Sequence, residues 1–138
     1  MKRIVTALGL AACLSPAAWG ASLDLTVTNV EAADGALRVA VFDSQDGWTS
    51  NTAIDSAVVD AETGSVTLTL EGLAPGEIGI KLYHDVDGDG DLDTRGFGIP
   101  TEPYGFSNDA PVRFGPPSWK NAKFALGDGA NTHTIKLR

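Results

Sequence analysis

LYHDVDGDGDLDTRGFGIPTEPYGF, residues 82–106, sets five aspartates at alternate positions (Asp85, Asp87, Asp89, Asp91 and Asp93) directly after an apolar run. Carboxylates this close repel one another by roughly 1 kcal/mol per pair at 4 Å in water, and by more where solvent is excluded. A folded chain tolerates such a row on a solvated loop or around a cation. The run that feeds it has period two. Ile78, Ile80, Leu82 and His84 share one face, and Lys81 and Tyr83 take the other. This is the signature of a half-buried β-strand that ends at the acidic row.

The same alternation spreads outward in both directions. Towards the N-terminus, Leu73-Ala74-Pro75-Gly76 forms a turn, preceded by Val66, Leu68 and Leu70 with Thr67, Thr69 and Glu71 on the outer face. Ala57 to Asp60 predicts a short strand, and Ser44 to Thr52 a polar loop with a half-exposed Trp48. Leu37, Val39 and Val41 alternate with Arg38 and Ala40. Across the Ala33-Asp34-Gly35 turn, Leu23, Leu25 and Val27 alternate with Asp24, Thr26 and Thr28, as in an antiparallel hairpin. Towards the C-terminus, Ser118 is placed to cap one helical turn around Trp119–Asn121. Ala122, Phe124 and Leu126 then form a strand, Gly127-Asp128-Gly129 a turn, and Ile135 and Leu137 the last strand.

About seven short strands without a long helix predict an all-β fold, an antiparallel β-sandwich. The interval from Asp93 to Trp119 is too long for a plain connection. It carries Phe97, Tyr104, Phe106 and Phe114 up to Trp119, and is expected to be an ordered loop covering one end of the sandwich.

A chain of 138 residues allows one domain. Residues 1–20 read as a secretory signal peptide: Lys2 and Arg3, an apolar run from Ile4, then small residues at Ala17, Ala18 and Gly20. Cleavage before Ala21 would leave a single domain over 21–138, exported to the periplasm or the exterior. The leader is too short, and too interrupted by Pro16, for a good membrane span. Without it, 8 basic side chains face 18 acidic ones, a formal charge of −10. That balance argues against nucleic acid and anionic lipid as partners. The one cysteine, Cys13, lies within the leader, so no disulfide framework is available. Leu10-Ala11-Ala12-Cys13 resembles a bacterial lipobox, which makes a lipid anchor at Cys13 the minor alternative to a soluble exported form.

Asp85 to Asp93 fits the first nine positions of a calcium loop. Carboxylate oxygens come from Asp85, Asp87 and Asp89, the sharp turn from Gly90, a main-chain carbonyl from Asp91, and a direct or water-mediated ligand from Asp93. Hard oxygen donors suit a structural Ca2+ and have no claim on zinc or copper. The match stops where an EF-hand places its bidentate glutamate, which here is Gly96. The site must therefore close differently, for instance with Glu102. A solvated acidic turn without metal is the competing reading.

His84 beside Asp85 invites a general-base role, but no serine, cysteine or second histidine stands near it in sequence, and its face is that of the core. His133 looks incidental. No phosphate loop, zinc spacing or nucleophile elbow is present. Asp87 and Asp89 make a poor glycosidase pair among unshielded neighbours. No catalytic residue is expected. Trp48, Trp119 and Tyr104 offer a sugar-stacking platform, though such residues more often serve packing.

Tyr83-His84-Asp85, the Asp87/Gly90/Leu92/Asp93 pattern, Gly98-Ile99-Pro100-Thr101-Glu102, Tyr104-Gly105-Phe106-Ser107-Asn108 and Phe114-Gly115-Pro116-Pro117 form one dense set of motifs, continued from Trp119 to Phe124. Through these, residues 76–126 resemble a family of exported bacterial proteins catalogued as domain of unknown function 2141. In that family asparagine often shares the acidic positions, whereas here Asp87, Asp89 and Asp91 are all acidic. The resemblance implies a prealbumin-like or immunoglobulin-like sandwich. The chain is also similar, more distantly, to the calcium-binding B-repeats of Gram-positive surface adhesins, where a comparable acidic loop follows a strand. Neither likeness supplies a substrate. The expectation is a non-enzymatic, calcium-stabilised exported module that binds a protein or envelope component. The alternative is a carbohydrate-binding module that binds an envelope glycan through Trp48 and Trp119.

Overall fold

The computed structural model describes residues 20–92, 94–95 and 99–138; the expected leader with Cys13, together with Asp93 and Phe97, lies outside the described residues. Ten strands occur in order: β1 (Ala21–Val30), β2 (Ala36–Phe42), β3 (Asp55–Asp60), β4 (Gly64–Leu73), β5 (Gly76–Asp85), β6 (Thr94–Arg95), β7 (Ile99–Pro100), β8 (Tyr104–Phe106), β9 (Phe124–Leu126) and β10 (Gly129–Lys136). Among the described residues, two short α-helices, α1 (Gln45–Ser50) and α2 (Trp119–Ala122), and a 3-10 turn at Ser107–Asp109 interrupt them. Among the described residues the fold is all-β in character. One sheet runs β8–β5–β2–β3, with β9 paired to the start of β5, and the other runs β10–β1–β4.

The period-two pattern explains which faces meet. Leu23, Leu25 and Val27 of β1, Leu37, Val39 and Val41 of β2, Leu68 and Leu70 of β4, and Ile78, Ile80 and Leu82 of β5 all belong to one buried cluster, joined by Leu126, Ile135 and Leu137. Each such side chain, fully buried, contributes about 1.5–3 kcal/mol relative to exposure. A second cluster sits on the outer side of the larger sheet, where Phe42, Trp48, Ala110 and Ala122 pack with Phe106 and Trp119.

Five expectations change. β1 and β2 do not form the expected hairpin: the turn at Ala33-Asp34-Gly35 crosses from one sheet to the other, and β1 pairs instead with β4 and β10, β2 with β3 and β5. Nor are the strands wholly antiparallel, because β10 runs parallel to β1 from Gly129↔Ala21 to Lys136↔Thr28. The chain reaches β10 by a corner rather than a hairpin. Asn131 pins that corner: its Nδ2 donates to the carbonyls of Ser22, Gly127 and Gly129, and its Oδ1 accepts from Gly127 N. Alternation of side chains carries no information about strand direction.

The presumed cover also contributes a strand. Tyr104–Phe106 pairs antiparallel with Lys81–Tyr83, which raises the number in the two sheets to eight. Residues 45–50 are helical rather than loop. Ser44 accepts from Gly47 N at 3.0 Å, and Asn51 ends the helix in the left-handed region at φ 59°.

Trp48, expected to be half-exposed, is only 4 % exposed. Its ring lies 5.4 Å from Phe42, 6.2 Å from Phe106 and 5.9 Å from Trp119, centroid to centroid, and its Nε1 donates to Pro117 O at 2.8 Å. Helix α1 turns the side chain inward onto aromatics supplied by distant segments. The helical turn after Ser118 is as expected, with Asn121 N donating to Ser118 Oγ.

Candidate metal centre and the adjoining groove

Asp85 closes β5, and the turn between β1 and β2 packs against it. Ala36 pairs with Asp85, and a Cβ placed on Gly35 would stand 2.0 Å from Asp85 O. One residue earlier, His84 is buried, as its place on the core face predicts, and its Nε2 donates to Asp34 O at 2.6 Å. Its Nδ1 is buried without a hydrogen-bond partner. His133, the other histidine of the chain, is structural: its ring stacks on Phe124 at 3.8 Å and its Nε2 accepts from Asn108 N. Burial pushes its pKa down.

The Asp85 side chain is wholly buried, and its two oxygens have different surroundings. Oδ2 accepts from Arg38 Nε at 2.6 Å and from Gly90 N at 2.9 Å, while Oδ1 has no partner. A buried carboxylate oxygen left unpaired costs free energy that a bound cation would recover.

The loop then folds on its own carboxylates. Asp87 Oδ1 accepts from Asp89 N and Asp89 Oδ1 from Asp91 N, a pair of side-chain-to-backbone turns that the alternate spacing makes possible. Tyr83 fastens the loop by donating its hydroxyl to Gly90 O at 2.8 Å. Burial and the nearby Asp85 raise the pKa of that phenol.

The short β6–β7 hairpin brings the chain back, so that Pro103 O accepts from His84 N and Glu102 Oε2 accepts from Val86 N at 2.8 Å. One carboxylate oxygen from each of Asp85, Asp87, Asp89 and Glu102 then lies within 4.8 Å of the others. Calcium holds its oxygens at about 2.3–2.6 Å, so ligands on opposite sides of one ion stand up to about 5 Å apart. The donor set and its span therefore fit a calcium ion. Of the five aspartates, the fold gathers Asp85, Asp87 and Asp89. The Asp91 carboxylate stands outside the group, consistent with an expected ligand that is its main-chain carbonyl, and Asp93 lies outside the described residues.

Glu102 was foreshadowed by Gly96, which leaves the loop short of an acid; Glu102 is the next one along the chain. Arg38 had no sequence signal, because it reads as an ordinary outer residue of β2.

The Arg38 guanidinium holds the Asp85 carboxyl below its ordinary value of 3.8, and Asp85 in turn raises Arg38. A carboxylate with a depressed pKa contributes stability that is fully present above its unfolded value and is lost as pH falls through the folded one. In EDTA, Arg38→Met is therefore expected to move the acid unfolding midpoint to higher pH, with little change in the effect of pH above 5. Urea midpoints measured across pH 2–6 for both proteins check this.

The acidic loop also walls one end of a groove on the outer face of the larger sheet. Two cross-strand rows make its floor. Strand register sets Tyr104, Tyr83, Arg38 and Val58 side by side. The second row holds Phe106, Lys81, Ala40 and Ser56. Gly90, Asp91 and Leu92 close one end, Thr49 and Asn51 the other, around about 680 Å3.

No curated protein and no solved structure matches the chain. The family described as an uncharacterised protein conserved in bacteria, domain of unknown function 2141, matches residues 25–134. That span takes in both sheets, the acidic loop and Glu102, and the chain belongs to this family.

Proposed function

We propose that this protein is a non-enzymatic, exported binding module with a prealbumin-like or immunoglobulin-like sandwich, held together at one end by a structural calcium ion. In this reading Asp85, Asp87, Asp89 and Glu102 supply carboxylate oxygens, Asp91 its carbonyl, and Asp93 a further oxygen. The observation that carries it is the buried, unpartnered Oδ1 of Asp85, with three other carboxylates within 4.8 Å. The ion joins β5 to the start of the segment that returns through Glu102, and the module presents its surface to a protein or cell-envelope component. The leader and its basic start support export, and the soluble form is favoured over a lipid anchor at Cys13.

The carbohydrate-binding reading takes second place: Trp48 is enclosed and Trp119 is half-buried against it, so a stacking surface would draw mainly on Tyr83 and Tyr104 in the groove.

With a dissociation constant of about 10 µM, calcium at ~1 mM stabilises the native state by about 2.7 kcal/mol, a rise of roughly 10 °C in Tm for a domain of this size. Thermal unfolding in EDTA, then with calcium or magnesium, checks this. The rise is expected with calcium, to be much smaller with magnesium, and to vanish in Asp87→Ala, whose side chain is exposed and not needed for packing. An unchanged Tm in calcium would remove the proposal.

A further inference from the structure

The groove carries its charges unevenly. Arg38 is matched by Asp85 at 2.6 Å, whereas Lys81 has no carboxylate within ion-pair distance among the described residues. Its Nζ is held by neutral groups. It donates to Trp48 O at 2.8 Å and to Asn51 Oδ1 at 3.1 Å, and stands 4.7 Å and 4.6 Å from the ring centroids of Phe42 and Trp48. These partners fix the ammonium in place and leave its charge uncancelled. An ammonium has three N–H donors, of which two are used here. Partial burial lowers its pKa, the mark of a cation short of solvent. The acid that lines the groove, Asp91, sits at the opposite, loop-side end.

Beyond Lys81 the floor changes character. Tyr83 and Tyr104 pair across strands, and Val58 is 57 % exposed on the far side. A volume of 680 Å3 is within the range of small-molecule sites, which combine apolar walls with a few placed polar groups.

We propose that this groove binds a small organic carboxylate, its acid group on Lys81 Nζ and its ring lying over Tyr83 and Tyr104. The inference deepens the binding-module reading by naming a ligand class, and it does not depend on the cation. A buried charge-assisted hydrogen bond supplies orientation, and the aromatic floor supplies contact area.

The test uses 1-anilinonaphthalene-8-sulfonate, an aromatic anion whose fluorescence rises on leaving water, with benzoate, benzyl alcohol and glucose as competitors. Saturable binding displaced by benzoate at least tenfold more effectively than by benzyl alcohol is expected, both in EDTA and in calcium. Lys81→Met is expected to weaken it at least tenfold. Because Lys81 also holds Trp48 O, Ser56→Glu provides a second variant: it puts a carboxylate at an exposed groove position in the same cross-strand row as Lys81, across the small Ala40, and is expected to weaken binding at least tenfold with an unchanged circular dichroism spectrum. Retained affinity in both Lys81→Met and Ser56→Glu, or no displacement by benzoate, overturns the proposal. Displacement by glucose but not benzoate also overturns it and favours the carbohydrate reading. Binding in either buffer supports the groove, while the calcium shift in Tm judges the metal separately, so the two can fail independently.

Discussion

Gly35→Ala is expected to destabilise the protein by roughly 2–5 kcal/mol and to abolish the calcium-dependent rise in Tm. Gly35 adopts φ +71°, a left-handed conformation that costs an L-residue about 1–2 kcal/mol. The added Cβ would also meet main-chain atoms, at 2.0 Å from Asp85 O and 2.8 Å from Val86 O. No rotamer change relieves a clash with backbone, so either the turn or the end of β5 must move. Moving β5 displaces the carboxylate that anchors the acidic loop. Gly35→Asn separates the two contributions, because asparagine tolerates the left-handed region but still brings a Cβ. Urea denaturation of both variants is the check. If Asn is as damaging as Ala, the clash dominates; near-native midpoints in both would show that this turn does not hold the acidic loop in place.

Trp48→Ala is expected to cost about 3–5 kcal/mol, the range for removing a buried large aromatic. The indole is the centre of the outer cluster, in contact with Phe42, Phe106 and Trp119. Its Nε1 also satisfies Pro117 O, so the substitution leaves a carbonyl unpaired as well as a cavity. Residues 107–122 are fastened to the sheet largely through this cluster and through Ser107, whose Oγ accepts from Ile80 N and donates to Ala122 O. Loss of the indole is therefore expected to loosen that segment first, and limited proteolysis between Ala110 and Trp119 should accelerate before global unfolding does. Trp48→Phe restores much of the packing without the hydrogen bond, and the difference between the two variants measures the packing share. A loss below about 0.5 kcal/mol, the usual scale of surface changes, would show that Trp48 does not organise this face.

Much of this architecture was legible from local pattern. Leu23, Leu25 and Val27, and Ile78, Ile80 and Leu82, declare their buried faces by alternation alone, and Ser118 declares its cap by type and position. The acidic loop was legible for the same reason: its spacing is local, and Asp85, Asp87 and Asp89 meet because they alternate. What pattern could not supply is long-range. Arg38 reaches Asp85 across 47 positions, and β10 chooses the parallel side of β1 across more than a hundred. Helix α1 escaped because six residues are too few for helical periodicity to show. The burial of Trp48 escaped with it, since its partners Phe106, Pro117 and Trp119 come from distant positions.

The parallel pairing of the first and last strands gives the molecule a polarity. Ala21 lies beside Gly129 at one end of its sheet, whereas Val30 leads into the turn that rests on Asp85 at the other. Ten residues of β1 separate these ends, a distance of roughly 30 Å at strand spacing. Any tether that enters at residue 20 therefore holds the molecule by the pole remote from the acidic loop. Arg138, bonded to Tyr104 through both its main-chain N and O, lies at the loop pole. On a surface, such a chain would stand with its acidic-loop pole outward, and a cargo joined to Arg138 would be carried at that outer tip.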